Sequence, residues 1–380
     1  MKINFILLVI PIFSIISCNN NNDVSFKIVG TEDYSNEISN SIKVLKNDPR
    51  ENKIDSFFSE SYKRNQFNGN ILFAESGNII TLKSYGYANL KTKEKLTQKH
   101  SFQLGSVSKT FTSVAVLQLI QNGQLKLEDS IQKFFPDFPF ENITIHQLLS
   151  HRSGLSQYTH FCDAPDSIWP DKSKTINNED VINIIKKIIP LINYAPDKKF
   201  YYCNTNYLLL ASIIKKITGF EFKQYLKKKV FNPINMKNSI VYDRTNFREI
   251  TMPTKGYENK IPWEDHYLNG VVGDKGVYST TMDLLKFDRA LEKNLLINDT
   301  LKKLAFSKKN KDFDHNKNYG YGFRLKEHKE YGKIVYHTGW WKGYRSYFIK
   351  VLNKDQTIIV LNNIKKGAFF NIDKLIELIN

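Results

Sequence analysis

Strand-like sequence stands at both ends of this chain and is sparse in its middle. Near the start, "FNGNILFAESGNIITLKSYGYANL" alternates apolar and polar residues around Glu75-Ser76-Gly77-Asn78, a hairpin pattern. Far along, "YGYGFRLKE", "KIVYHT", "YRSYFIKVL" and "QTIIVLNN" read as four strands between Tyr319 and Asn363, and "NIDKLIELIN" closes as a helix. Residues 106–294 carry mostly helical spacing, as does Ser35 to Arg64. A lone hairpin is marginal in water, so the two sets must complete one sheet. The spacing therefore predicts an α+β domain over 35–380. Its antiparallel sheet is built from about 35–105 and 295–380 and flanked by helices, and a large, mostly helical part, about 106–294, is inserted. No internal repeat is visible.

Residues 1–17 belong to something else. "MKINFILLVIPIFSIISC" is a Lys, a short apolar run and a small residue directly before Cys18, which resembles a bacterial lipoprotein signal. Cleavage there frees Cys18 for lipidation, with 18–34 as a polar tether. The apolar run is shorter than the roughly 20 residues of a membrane-spanning helix. The expectation is an exported, membrane-anchored lipoprotein of the bacterial cell envelope, on its periplasmic or outer surface. A net charge of +17 raises the question of nucleic acid, but the lysines are scattered, so no nucleic-acid partner is expected. Cys162 and Cys203 carry no disulfide-framework pattern.

"FQLGSVSKTFTSVAVLQLI" places Ser106 and Lys109 at the mouth of a helix that is apolar almost all round, and so belongs in the core. Residues three apart share a helix face, which brings the ammonium toward the hydroxyl. Burying a lysine is costly unless it is paired, while a serine nucleophile needs a basic or cationic neighbour. On those four letters alone a Ser cap followed by a snorkelling Lys is the better reading, because S-x-x-K is a frequent chance match. Two further stretches bear on the choice: "FYYCNTNYLLLASII" sets Tyr202 and Asn204 before a second buried helix, and "VYHTGWWKGYRSYF" sets His337, Thr338 and Gly339 at a strand end.

In that order, Ser-x-x-Lys, Tyr-x-Asn and His-Thr-Gly, the chain resembles the serine β-lactamase and penicillin-binding protein superfamily. Within it, the likeness is to the branch of class C β-lactamases, D-alanyl-D-alanine carboxypeptidases and esterases. The resemblance runs over about residues 50–363 and includes "LKLEDSIQKFFPDFP", "ITIHQLLSHRSGL" and "GVYSTTMDLLKFDRAL". The second also reads physically: Thr144 with Gln147 is a capping box, and Ser153-Gly154 suits the helix end. His151 there reads as a cation at a helix C-terminus, not as a catalytic group.

The resemblance implies an αβα sandwich of β-lactamase/transpeptidase type and a set of roles. Ser106 is the nucleophile, Lys109 its base partner and Tyr202 the general base and acid, and Asn204 positions Lys109 and the substrate. The backbone N–H groups of Ser106 and Trp340 form the oxyanion site, and Thr338, Gly339 and Trp340 line the substrate. The family's K-T-G box carries His337 in place of Lys here, a substitution familiar in its esterases and D-amino-acid peptidases. Cys203 stands where Ser is commoner, and its side chain is expected to face away from the chemistry. Trp341 is expected to pack inward, with Lys342, Tyr344 and Arg345 beside it.

The function implied is a serine hydrolase that forms an acyl-enzyme from an amide or ester, such as a cell-wall-derived D-amino-acid peptide. A class C β-lactamase and a catalytically silent envelope protein binding muropeptides or β-lactams stand as alternatives. No metal-ligand spacing or phosphate loop is found, so no cofactor is expected. The expected partners are a small-molecule or peptide substrate and the lipid anchor, and the chain is expected as a monomer.

Overall fold

Ser76 (φ 50°) and Gly77 (φ 79°) take the left-handed conformations that a tight two-residue turn demands, closing the hairpin of strands Gly69–Glu75 and Asn78–Tyr85. The computed structural model describes residues 32–162, 168–169, 171–313, 316–365 and 369–380, and Cys18 with its leader lies outside them. Gly69–Glu75 also pairs with Gln356–Asn362, which sets Glu75 opposite Gln356. Beyond that strand follow Tyr344–Val351, Gly332–Trp341, Arg324–His328 and Lys317–Tyr319, all antiparallel. One eight-stranded sheet thus joins both chain ends.

Gln356–Asn362 is buried along its whole length, so both of its faces need cover. Ile358 and Val360 point into a core with Ile54 and Phe58 of helix Arg50–Lys63 and Leu375 and Ile376 of helix Ile372–Ile379. Ile359 and Leu361 point the other way, into a larger core with Phe111, Leu284 and Phe287. That period-two division makes the αβα sandwich.

Three expectations need correction. The sheet is not wholly antiparallel: Lys43–Val44 adds to its edge in parallel, opposite Asn78 and Ile79. This strand breaks the Ser35–Arg64 stretch into helices Ser35–Asn40 and Arg50–Lys63, the second entered through Asp48-Pro49 after a left-handed Asn47. "YGYGFRLKE" is not one strand, because left-handed Gly322 (φ 79°) divides it between Lys317–Tyr319 and Arg324–His328. The inserted part holds helices Asn178–Ile188, Asn204–Thr218 and Thr281–Glu292, but also strands Ile240–Val241 and Val277–Ser279, which join Phe102–Gln103 in a small sheet. Strands of two or three residues are too short to show alternation.

Candidate active site

Ser106 sits one turn earlier than its helical spacing predicts. Gly105–Val107 forms a 3-10 turn and the α-helix runs over Ser108–Gln121. From residue 100 to 117 every residue is buried except Ser106. The turn needs Gly105: its φ is 53°, and a Cβ there would lie 2.8 Å from the Trp340 nitrogen. The nucleophile turn is thereby pressed against the backbone of strand Gly332–Trp341.

Lys109 is 0% exposed, yet each of its donors has work. Its Nζ donates to Ser106 Oγ (3.2 Å), Asn204 Oδ1 (2.8 Å) and the Asp274 carbonyl (2.8 Å). Asn204 opens its own helix, and its N–H is held by Gln157 Oε1 at 2.8 Å. The sequence-predicted Ser, Lys and Asn therefore meet at one ammonium.

Tyr202 arrives from the same segment. Gln157 Nε2 donates to its carbonyl at 2.6 Å, and Lys109 Nζ lies 5.0 Å from its ring centre. Its hydroxyl is buried and has no hydrogen-bond partner among the described residues. Between them, Cys203 turns aside and its thiol meets the Ser156 carbonyl. Burial pushes that thiol up to about 11, and Cys162 and Cys203 are not joined in a disulfide.

His337 is 0% exposed, and both ring nitrogens are engaged, Nδ1 with the Thr338 carbonyl (2.8 Å) and Nε2 with the Tyr319 hydroxyl (3.1 Å). Burial, then the Arg324 and Lys109 charges, hold its pKa well below the ordinary imidazole value. The imidazole is thus a neutral, enclosed ring, held in place by its two hydrogen bonds. Thr338 is half-buried and Gly339 fully so; a Cβ on Gly339 would lie 1.9 Å from the Leu104 carbonyl oxygen. Trp340 is 54% exposed at the rim, whereas Trp341 is half-buried and donates from Nε1 to Asn269 Oδ1 (2.7 Å).

The reading of His151 changes. The helix Ile145–Leu149 has the expected Thr144/Gln147 capping box but ends at Ser150, with His151 left-handed (φ 59°). His151 is fully buried, its ring centre 4.3 Å from that of Tyr202, and burial followed by the Lys109, His337 and Arg324 charges depresses its pKa well below normal. A neutral ring does not complement a helix terminus; it forms one wall of the tyrosine. On another side lies Arg324, missed in the sequence because it reads as an exposed strand cation. Its guanidinium lies 5.1 Å from the Tyr202 ring centre, and its Nε is buried without a hydrogen-bond partner among the described residues.

An antiparallel sheet against a buried helix, with Ser and Lys at the helix mouth and an inserted helical part supplying Tyr and Asn, defines the serine β-lactamase and penicillin-binding protein fold. The chain belongs to the beta-lactamase family, whose model matches residues 54–378. It is 33% identical over 324 residues to penicillin-binding protein 4* of Bacillus subtilis, spanning 82% of this chain and 71% of that one. Among solved structures, the octameric penicillin-binding protein homologue of Pyrococcus abyssi is 25% identical with a TM-score of 0.73, covering 83% of this chain and 74% of its own. The D-amino acid amidase of Ochrobactrum anthropi, 22% identical with a TM-score of 0.75 over 87% of this chain and 99% of its own, is alike in fold.

Proposed function

We propose that this protein hydrolyses an amide or ester through an acyl-enzyme on Ser106, and that its substrates include D-amino-acid peptides derived from the cell wall. The single observation that carries this reading is the buried Lys109 ammonium bridging Ser106 Oγ, Asn204 Oδ1 and the Asp274 carbonyl. A scaffold gains nothing from a desolvated cation held on the one accessible hydroxyl of a buried helix. Ser106 attacks the acyl carbon as the Lys109–Tyr202 pair, reacting in the form that carries one proton fewer than an ammonium plus a phenol, takes up the hydroxyl proton; the Tyr202 oxygen, without a hydrogen-bond partner among the described residues, then passes that proton to the leaving group. The N–H groups of Ser106 and Trp340 receive the oxyanion, and water then releases the acyl group.

The substrate class draws on two supports. Relatives carry the names penicillin-binding protein and D-amino acid amidase. The Arg324 guanidinium, set among aromatic rings, gives the site floor a permanent positive charge suited to a substrate carboxylate. His337, neutral and enclosed, does not supply that charge. We also propose that lipid on Cys18 anchors the protein to the envelope membrane, and Cys18→Ala is expected to move it into the soluble fraction with catalysis intact.

The test is covalent labelling. A fluorophosphonate or a penicillin is expected to add its acyl or phosphonyl mass to Ser106 in the wild type and not in Ser106→Ala. Intact mass unchanged by both probes would overturn the hydrolase reading.

A further inference from the structure

A second buried lysine lies behind the first. Asp274 and Lys275 occupy a loop between two left-handed glycines, Gly273 (φ 104°) and Gly276 (φ 95°), each packed where a Cβ would strike backbone: the Tyr207 carbonyl oxygen at 2.3 Å and that of Tyr242 at 2.9 Å. This turns both side chains inward; Asp274 is 1% and Lys275 3% exposed. Tyr158, also buried, donates from its hydroxyl to Asp274 Oδ2 at 2.9 Å and accepts from Lys275 Nζ at 2.5 Å. Lys275 Nζ lies 3.6 Å from Asp274 Oδ1, while the carbonyl of that same aspartate receives Lys109.

One residue therefore contacts both lysines, with its main chain on one and its carboxylate on the other. We propose that Tyr158, Asp274 and Lys275 are positioning residues for the reaction at Ser106, acting through Lys109. They aim the Asp274 carbonyl at that ammonium and divide one carboxylate charge between two buried lysines, so that proton loss at Lys275 leaves the charge to Lys109 alone. This rests on the acyl-transfer reading above.

The groups facing Lys275 come from every side: Asp274 in its own loop, Lys109 from the nucleophile helix, Tyr158 and Cys162 from the segment beginning at Tyr158, and the Trp341 ring at 4.9 Å from the sheet. Burial draws Lys275 down to about 8, against the pull of Asp274 and with the push of Lys109. Its titration thus falls within the range where an exported hydrolase can be assayed, and the rate at Ser106 should register it.

The experiment follows the rate of fluorophosphonate labelling of Ser106 from pH 6 to pH 10 in the wild type, Lys275→Met, Lys275→Arg, Asp274→Asn and Tyr158→Phe. The wild-type profile is expected to inflect near pH 8. Lys275→Met and Lys275→Arg should both lose that inflection, since neither side chain titrates there. Asp274→Asn, lacking the charge that holds the proton on Lys275, and Tyr158→Phe, lacking its acceptor, should move the midpoint to lower pH. A merely structural role would change every rate alike and leave the shape alone. If Lys275→Met fails to fold, Tyr158→Phe, which removes one oxygen, decides the matter by its midpoint. A wild type that never labels sinks the acyl-transfer reading, whereas a wild type that labels, with variant profiles superposable on its own, sinks the network.

Discussion

Where helix Thr281–Glu292 meets the sheet, Asp288 and Arg289 face Lys350 and Asp355, while around Ser106 the buried Lys109 and Lys275 share Asp274. The first cluster is closed. Arg289 bonds Asp288 at 2.5 Å and Asp355 at 2.6 Å, Lys350 reaches Asp288 at 3.3 Å as well as Asp355, and Thr357 donates to Asp288 at 2.7 Å. The second is open. Among the described residues Lys109 makes no ion pair, the Tyr202 hydroxyl and Asp274 Oδ1 lack hydrogen-bond partners, and Arg324 adds a further cation. The lysines of both clusters and Arg289 are buried, so their desolvation does not separate the two; compensation does, since Lys350 has the Glu292 carboxylate at 3.6 Å as well. A cluster whose charges are matched holds two layers together, and one whose charges are left over is poised to accept charge from a reaction.

The sharpest way to break that contrast is to neutralise one cation in each cluster. Lys109→Met should lower kcat/KM by about 10⁴, the scale of losing one member of a catalytic set. Its stability loss should be small, because no carboxylate is stranded. Arg289→Met should do the reverse, costing about 3–5 kcal/mol in denaturant unfolding by stranding buried carboxylates. Its kcat/KM per folded molecule should stay unchanged. Equal stability losses in the two variants would erase the distinction.

A smaller effect is expected at Gly105. Gly105→Ala puts a Cβ against the Trp340 nitrogen in a left-handed residue, at about 1–3 kcal/mol of local strain. It should lower kcat more than it raises KM, because the strain falls between the Ser106 turn and the backbone of Trp340, the proposed second oxyanion donor. A change confined to KM would argue against that placement.

The smallest effect is a slope. His151 and His337 have folded pKa values held below the unfolded value of about 6.5, so below that pH the unfolded chain binds protons that the folded one does not. Stability should therefore fall as pH drops below about 6.5, by up to about 1.4 kcal/mol per unit for each imidazole. His337→Asn, tested by urea unfolding at pH 7 and pH 5, should flatten part of that slope. A slope that steepens would mean the ring is charged in the native state.

Features governed by local chemistry were legible in the sequence. The Ser76-Gly77 turn, the Thr144/Gln147 capping box and the alternating strands each follow from a few neighbouring residues. The meeting of Ser106, Lys109 and Asn204 was legible because motif order and fold together placed them. Asp274 and Lys275 were not, since a charged pair between glycines reads as an exposed turn until the packing of Tyr158 and Trp341 encloses it. Arg324 was hidden the same way, behind a strand that Gly322 divides. His151 was misread because its helix terminus is visible in sequence, whereas the burial that keeps the ring neutral is not.

The sheet also orders events in time. Glu75 pairs with Gln356, 281 positions later, and the hairpin Gly69–Tyr85 joins the remaining antiparallel strands only through Gln356–Asn362. At about 5–20 residues per second, a ribosome needs roughly 14–56 s to travel that distance. Until Gln356–Asn362 is made the hairpin has no neighbour on its inner edge, and until Gly332–Trp341 is made, shortly before it, the Ser106 turn has no strand to press against. The Ser106 site cannot assemble before the chain has grown past Trp341. The sheet stays incomplete until the late strands are delivered, and the contact between the Ser106 turn and Gly332–Trp341 arrives with them.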